Sequence, residues 1–144
     1  SDLHGNKPWR VGIQDPRGSQ AIAKLDLPDG WAIGTSGDYQ RYFMNDGIRY
    51  CHLINPFTGF PMQNVYSVTV LIEPAKNAGT LSDVLSKPLF IGKKEDRVAI
   101  AQKLNIHHYL IIEENRISMT QTMADKIQFL DIHSQKKNHL EITH

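Results

Sequence analysis

The sequence contains only one cysteine, Cys51, among its 144 residues, so no disulfide can form within the chain. It has no excess of either charge, because 16 basic and 15 acidic side chains leave a net charge of +1. That balance gives no reason to expect nucleic acid as a partner. No apolar run is long enough to cross a membrane and no signal peptide is visible, so we expect no transmembrane segment in this chain.

The chain also lacks the features that divide a sequence into parts. It has no linker rich in serine or glycine, no internal repeat and no low-complexity tract. A length of 144 residues is sufficient for one compact domain with a hydrophobic core. We therefore expect a single domain over residues 1–144, with a polar tail after about residue 133 that is loosely held.

Short runs of alternating or β-branched residues predict strands throughout the first half of the chain. These strands are predicted at residues 8–13, 21–27, 31–35, 39–44, 48–54 and 66–72. Turn residues at 28–30 predict a hairpin between the second and third strands, and those at 45–47 predict another between the fourth and fifth. The last run is apolar almost throughout, which indicates a buried central strand.

The pattern then changes from a period of two to helical spacing. Leu81, Leu85 and Leu89 recur at every fourth residue, as on one face of a helix. Thr80 is placed to act as the N-cap, and Pro88 is expected to kink or end the helix.

A second helix, a hairpin and a short strand are predicted in the last third of the chain. They are predicted at residues 94–104, at 108–112 with 116–120, and at 127–132. Asn105 is expected to close the second helix. This order of elements predicts an α+β fold, with one mostly antiparallel sheet covered by two helices.

The stretch most typical of a functional site is the loop at residues 52–61, which contains two prolines and a glycine. Pro56 fixes its own φ and biases Asn55 away from helix. The Asn55 side chain can close an Asx-turn, and Gly59 can adopt the positive φ that other residues avoid. We therefore expect a rigid turn immediately after a strand.

His52 stands where that strand meets the turn. Alternation along residues 49–54 places His52 and Ile54 on the same face of the strand. A titratable ring beside a rigid loop is a place where a site can be built. On this evidence alone, a structural role is the commoner reading of a single histidine at a strand end.

Two further blocks make a functional reading of this loop stronger. Residues 35–43 read Thr-Ser-Gly-Asp-Tyr-Gln-Arg-Tyr-Phe, and residues 78–86 read Ala-Gly-Thr-Leu-Ser-Asp-Val-Leu-Ser. In order and spacing, these blocks and the loop resemble the ApbE family, flavin transferases that move FMN from FAD onto a threonine of a target protein. Residues 9–16 also resemble a family segment, and the similarity extends to about Gly92.

The resemblance implies a flavin site with FAD as the substrate. It implies that His52 is the general base and that Asp83 is a ligand of Mg²⁺. Tyr39, Tyr42, Phe57 and Phe60 are candidates to stack on a flavin or adenine ring, although aromatic residues in strands usually fill cores. The other implied cofactor-binding residues are Ser36, Gly37, Asp38, Ile54, Asn55, Thr58, Gly59 and Lys87.

Lys87 is the departure from the family pattern, because the motif has a threonine at this position. A lysine ammonium offers only donors and cannot ligate Mg²⁺. One reading is a helix pair between Asp83 and Lys87, worth about 0.3–0.5 kcal/mol. The other is a fixed cation that holds the FAD phosphates directly. Asp83 also has a structural reading, since Thr80 and Asp83 have the spacing of a capping box.

The resemblance further implies an extracytoplasmic, periplasmic protein whose partner is a target flavoprotein with an acceptor threonine. The matching part is the C-terminal half of the family, so we expect the flavin-binding N-terminal half to come from a missing segment or a second subunit. Two other functions stay open. One is an ApbE-like flavin-binding or scaffold module that has lost the metal site, and the other is an Mg²⁺-dependent FAD pyrophosphatase in which water replaces the threonine.

Overall fold

The computed structural model describes residues 7–39, 42–62, 64–130 and 139–143. The strands in these residues are β1 (Trp9–Gln14), β2 (Ala21–Leu27), β3 (Ala32–Gly37), β4 (Tyr42–Asn45), β5 (Ile48–Cys51), β6 (Val65–Ile72), β7 (His108–Glu113), β8 (Arg116–Thr120), β9 (Ile127–Phe129) and β10 (His139–Thr143). The helices are α1 (Ala78–Ile91), α2 (Arg97–Lys103), which follows a 3-10 turn at Lys94–Asp96, and the short α3 (Gln121–Ala124).

A five-stranded sheet with the order β10-β8-β7-β6-β3 forms the centre of the described structure. Neighbouring strands of this sheet pair antiparallel, except that β10 runs parallel to β8. Val68 and Val70 on β6 are fully buried. The prediction of a buried central strand near residues 66–72 is therefore confirmed.

The central sheet separates two hydrophobic clusters, because successive residues of a strand point to opposite faces. Leu110 on β7 packs with Ile22 and Leu25 of the small sheet β1-β2-β9. Ile111, the next residue, packs with Leu89 and Phe90 of α1. The molecule thus has a layer of helices and a layer of strands on opposite faces of the central sheet. The predicted mixed α+β class, with mostly antiparallel pairing, is confirmed.

Helix α1 lies unusually close to β3. A Cβ atom added to Gly34 would lie 2.2 Å from the carbonyl oxygen of Ser82, which no real side chain could tolerate. The helix face turned inward is correspondingly small, with Ala78, Ser82 and Ser86 all buried at every fourth position. This corrects the expectation of a leucine stripe, since only Leu89 of the three leucines is fully buried.

Several local predictions about helix ends and turns were wrong. The predicted cap at Thr80 lies inside α1, which begins at Ala78 after Asn77. Pro88 does not end α1, which continues to Ile91, and a kink at Pro88 stays a prediction. The turn at residues 28–30 exists, with the Trp31 N–H donating to the Pro28 carbonyl, but it joins β2 and β3 of different sheets. Turn residues specify that the chain reverses, and not which strands then pair.

Other predictions based on local turn chemistry are confirmed. β4 and β5 form the expected hairpin, with positive φ at both Asp46 and Gly47. β7 and β8 form the second hairpin, and Asn105 follows α2 with a φ of 55°. The strand predicted to reach residue 54 ends earlier, at Cys51.

The end of the chain is more ordered than expected. The predicted loose tail includes β10, which pairs with β8 in register from His139 opposite Arg116 to Thr143 opposite Thr120. The rest of the predicted tail, residues 131–138 and 144, lies outside the described residues, as does the end of the strand predicted at 127–132. In the described part of the chain, no helix combines the length and apolarity needed to cross a membrane. A single domain stays a prediction.

Candidate functional site

The end of β3 holds Asp38 through two kinds of contact. Its backbone N–H donates to the carbonyl oxygen of Tyr66 at 3.0 Å, which continues the pairing of β3 with β6. Its carboxylate accepts two hydrogen bonds from the Arg17 guanidinium, at 2.8 and 2.6 Å. The Arg17 guanidinium carbon also lies 3.4 Å from the centre of the Tyr66 ring. The buried Asp38 carboxylate thus accepts two hydrogen bonds from the Arg17 guanidinium, which in turn stacks over the Tyr66 ring.

The charge state of Arg17 follows from these contacts. Partial burial lowers the pKa of Arg17, but the hydrogen bond and charge of Asp38, together with Tyr66, outweigh burial and raise the pKa above its ordinary value. Arg17 is therefore always a cation in this position. The oxygens of Asp38 are committed to it, so we infer that Asp38 organises the strand end and does not offer its carboxylate to a ligand.

A short chain of hydrogen bonds links the strand end to helix α1. Ser86 donates to the carbonyl oxygen of Asp83 at 2.9 Å. Because Ser86 has a single hydroxyl proton, the 2.7 Å contact between the Ser36 and Ser86 hydroxyls must be donated by Ser36. Both serines are buried. The first and third motif blocks are therefore joined through the interior.

Asp83 and Lys87 form an ion pair on the outer face of α1. The Lys87 ammonium donates to the Asp83 carboxylate and to the Asp83 backbone carbonyl, both at 2.8 Å. The Asp83 side chain is 77% exposed, so the pair is worth only about 0.3–0.5 kcal/mol. The capping-box reading of Asp83 is wrong, because the helix begins at Ala78 and its cap residue makes no side-chain hydrogen bond.

The Lys87 charge makes this arrangement unfavourable for a magnesium ion at Asp83. In the described residues, no group of three or more histidine, cysteine, aspartate or glutamate side chains is close enough to hold a metal. Mg²⁺ requires several oxygen ligands, and one Asp83 oxygen already accepts a hydrogen bond from a cation. The predicted metal ligand is thus exposed and paired with the residue that departs from the family motif.

The loop after β5 has the predicted rigid turn. The Asn55 side chain accepts the Phe57 N–H at 2.8 Å, and its backbone carbonyl accepts the Gly59 N–H at 2.8 Å. Gly59 has a φ of 72°, and Thr58 accepts the Phe60 N–H at 3.3 Å. The predicted Asx-turn and positive φ are both confirmed.

The base of the loop is anchored in the core. The Met62 N–H donates to the Leu53 carbonyl at 2.8 Å, and both side chains pack against the cluster that contains Leu89 of α1. Ile54, the residue after Leu53, forms an isolated antiparallel β-bridge with Pro61. The second motif block is thereby anchored in the core cluster to which α1 contributes Leu89 and Phe90.

His52 lies between the end of β5 and this anchored base. Its side chain is exposed to solvent, as the side chain of a residue that meets a substrate must be. The strand alternation expected to place it beside Ile54 does not hold, because β5 ends at Cys51. A role for His52 as the base remains a prediction.

The loop and the β4-β5 hairpin both carry exposed aromatic rings. Phe57 is 92% exposed and Phe60 is 72% exposed, so neither fills a core. On the hairpin, Phe43 stacks on Tyr50 with 5.2 Å between ring centres, and Tyr42 is half-exposed beneath the Arg49 guanidinium. These rings offer flat apolar surfaces on which a planar heterocycle could stack.

Sequence reasoning missed three residues that organise this region. Arg17 and Tyr66 hold Asp38, and nothing in the local sequence around either residue indicates that contact. Ser86 joins β3 to α1, and the sequence does contain a pattern that indicates this close contact. Ala78, Ser82 and Ser86 form a row of small residues at helical spacing, which is typical of a helix that approaches its neighbour closely.

Comparison with known proteins adds an independent observation. A model of the ApbE family matches residues 2–110. The FAD:protein FMN transferase of Rhodobacter capsulatus is 36% identical over 129 residues, which cover 89% of this chain and 24% of the relative. The FAD:protein FMN transferase of Vibrio cholerae serotype O1 is 39% identical over 108 residues, which cover 74% of this chain and 31% of the relative.

Solved structures agree in fold. The ApbE protein of Thermotoga maritima superposes with a TM-score of 0.72 at 38% identity, covering 85% of this chain and 39% of that protein. The flavin transferase ApbE of Vibrio cholerae gives a TM-score of 0.61 at 31% identity, covering 83% of this chain and 38% of that protein. The chain therefore spans well under half the length of the relatives that it matches.

Proposed function

This chain belongs to the ApbE family, and from that premise we propose that it takes part in transferring FMN from FAD to a threonine of a target flavoprotein. The relatives described above are named as FAD:protein FMN transferases, which supports flavin transfer as the reaction class. We also propose an extracytoplasmic, periplasmic location, which fractionation of the native cells would test.

The proposed reaction is a phosphoryl transfer. The threonine hydroxyl oxygen attacks the FMN-side phosphorus of FAD and forms a new P–O bond, while the bond between this phosphorus and the bridging oxygen breaks. The bridging oxygen leaves with AMP, and the hydroxyl proton passes to a base. His52 is the proposed base, because it is exposed beside a turn whose geometry is fixed by Asn55 and Gly59.

The observation that carries this proposal is the joining of three separate sequence blocks around α1. Ser36 bonds to Ser86 in the helix, and Leu53 and Met62 dock the loop on the helix core. The chain thereby presents Phe57 and Phe60 on one rigid support. We propose that Ile54, Asn55, Thr58 and Gly59 shape the flavin site, while Ser36, Gly37 and Asp38 position the strand beneath it.

Lys87 has a definite place in this proposal. Since the Lys87 charge opposes a metal at Asp83, we route no step through a metal. The Lys87 ammonium is a cation on the same helix face as Asp83, and by rotating away from Asp83 it can meet a pyrophosphate oxygen. The exposed pair costs little to break, about 0.3–0.5 kcal/mol, so a doubly charged pyrophosphate would compete for the lysine.

The test is a chimera, because the chain covers only part of its relatives. The matching segment of the Vibrio cholerae transferase is replaced by this chain, and the chimera is incubated with FAD and an acceptor flavoprotein. Covalent flavin is detected by in-gel fluorescence and by the mass of the modified acceptor. We expect flavinylation by the chimera, and at least a hundredfold less when His52 is changed to alanine, as for loss of a general base.

Two results would overturn the proposal. One is a chimera that folds and binds FAD but modifies no acceptor, which would support the flavin-binding or scaffold module. The other is release of FMN and AMP without acceptor modification, which would support the pyrophosphatase. Neither alternative is favoured at present, since the relatives reported above are named as transferases.

A further inference from the structure

Within the described residues, the helices cover only part of one face of the central sheet. Helix α1 packs against β3 and β6, and α2 packs over Tyr109 of β7. Beyond α2, two cavities extend towards the sheet edge, and Val98, Tyr109 and Thr143 line both of them. Because these three residues line both cavities, the two cavities are adjacent, and together they are called the groove, which residues of β7, β8 and β10 line.

The larger cavity has a volume of about 350 Å³, which is within the usual range for small-molecule sites. Val98, Ala101 and Ile106 give it an apolar wall. Its hydroxyl groups are already committed within the protein. Tyr109 and Thr143 bond to each other at 2.5 Å, and Thr122 donates to the carbonyl of His107. A ligand in this cavity would therefore meet mostly apolar surface and hydroxyls that are already bonded, with Gln102, His107 and Gln121 as the other polar residues of the lining.

The smaller cavity, of about 60 Å³, is cationic. Lys94, Arg97 and Arg116 line it. Glu113 pairs with both arginines, and Glu141 lies 3.5 Å from Arg116, so three cations face two carboxylates and one positive charge is left over. Arg97 is almost completely buried, and the buried Nε of Arg116 has no hydrogen-bond partner in the described part of the chain. This end favours an anion.

We propose that the groove binds a single-chain alkyl carboxylate, with its chain in the larger cavity and its carboxylate among Lys94, Arg97 and Arg116. The apolar wall favours an alkyl chain over sugars and nucleosides, because ligand hydroxyls against Val98, Ala101 and Ile106 would lose their water without gaining partners. The unbalanced positive charge selects a monoanion over a neutral chain. None of the motif-block residues lines either cavity, so this site is separate from the proposed flavin site.

The experiment measures binding to this chain by isothermal titration calorimetry, with three probes. Decanoate is used below its critical micelle concentration, decanol supplies the same chain without the charge, and acetate supplies the charge without the chain. We expect decanoate to bind with a dissociation constant below about 1 mM. We expect decanol to bind more weakly than decanoate and acetate not to bind.

Variants locate the site. Lys94→Gln should weaken decanoate binding about threefold to fivefold, as for loss of an exposed ion pair, and leave decanol unchanged. Lys93→Gln makes the same charge change at the preceding exposed residue and should change neither. Val98→Phe should abolish binding of both, because Val98 stands where the two cavities join. Gln102→Trp, at an exposed position on the rim, is the second blocking variant if Val98→Phe does not fold.

The proposal is overturned if decanoate does not bind below 1 mM, or if it binds no better than decanol. It is also overturned if the folded blocking variants bind decanoate normally, or if Lys93→Gln has the same effect as Lys94→Gln. Flavin transfer does not enter any of these measurements, so this proposal and the proposed function fail independently.

Discussion

Replacing Arg17 with methionine removes the guanidinium that holds Asp38 and keeps a side chain of similar length. The Asp38 side chain is 11% exposed and the Arg17 side chain 34% exposed, so the pair lies between a surface pair and a fully buried one. A surface pair is worth about 0–1 kcal/mol, and removing one partner of a buried pair costs about 3–5 kcal/mol. Allowing for solvent screening at Arg17, we expect a loss of about 2–3 kcal/mol.

Thermal and urea unfolding, followed by circular dichroism, measure this loss. At about 3–4 °C per kcal/mol for a chain of this size, the midpoint should fall by about 6–12 °C. Arg10→Met is the matched control, because Arg10 donates a single hydrogen bond to Asp26 in a pair that is 72% and 53% exposed. Its loss should cost less than about 1 kcal/mol.

A second variant separates the charge from the side chain. Adding Asp38→Asn to Arg17→Met removes the carboxylate that the first change leaves buried without its partner, so the double variant should recover part of the lost stability. The reasoning fails if Arg17→Met costs no more than Arg10→Met. It also fails if the losses of the two single variants simply add in the double variant.

Three further predictions follow from other features. Gly34→Ala should destabilise the fold by about 1–3 kcal/mol or more, because its Cβ would meet the Ser82 carbonyl. The control Gly79→Ala, in open space within α1, should be neutral or stabilising by up to about 1 kcal/mol. Equal shifts of the thermal midpoint in the two variants would contradict this prediction. Lys87→Thr, in the chimera, should raise Mg²⁺ affinity and Mg²⁺-dependent FMN transfer. A cation 4 Å from a bound metal opposes it by about 4 kcal/mol per unit of metal charge at an effective dielectric of 20. Unchanged Mg²⁺ dependence would show that the Lys87 charge does not act on the metal site. This chain alone should bind FAD weakly or not at all, since it spans only 39% of a structural relative, and tight binding in a calorimetric titration would show that the pocket is complete.

The sequence predicted best those features that depend on neighbouring residues. The β4-β5 hairpin follows from Asp46 and Gly47, both of which adopt the positive φ that such turns require. The Asx-turn at Asn55 follows in the same way from Pro56 and Gly59. These are short-range steric and hydrogen-bonding effects, so the residues that cause them lie within the segment itself.

Features that depend on distant residues were not predictable in this way. β3 does not pair with β2, which precedes it, but with β6, so that Ala32 faces Ile72. The Arg17 partner Asp38 is 21 residues away. The inner face of α1 was misassigned because leucine dominates a count of apolar residues, whereas a helix so close to Gly34 requires small residues. The family motifs located the candidate site, and the structure located its two charged pairs, Arg17 with Asp38 and Lys87 with Asp83.

The pairing of β3 with β6 also separates the segment that bears the loop from the rest of the fold. Gly37 and Ser67 are direct partners in the ladder, so everything between them, including the β4-β5 hairpin and the anchored loop, leaves and re-enters the sheet at adjacent points. Strand partners lie only about 5 Å apart, a gap that a turn of a few residues can close. The segment that bears His52 thus lies between two neighbouring points of a scaffold whose two cores lie mostly outside it. We therefore expect substitutions at exposed positions of this segment, such as Phe57 and Phe60, to change its surface with little effect on the stability of the scaffold.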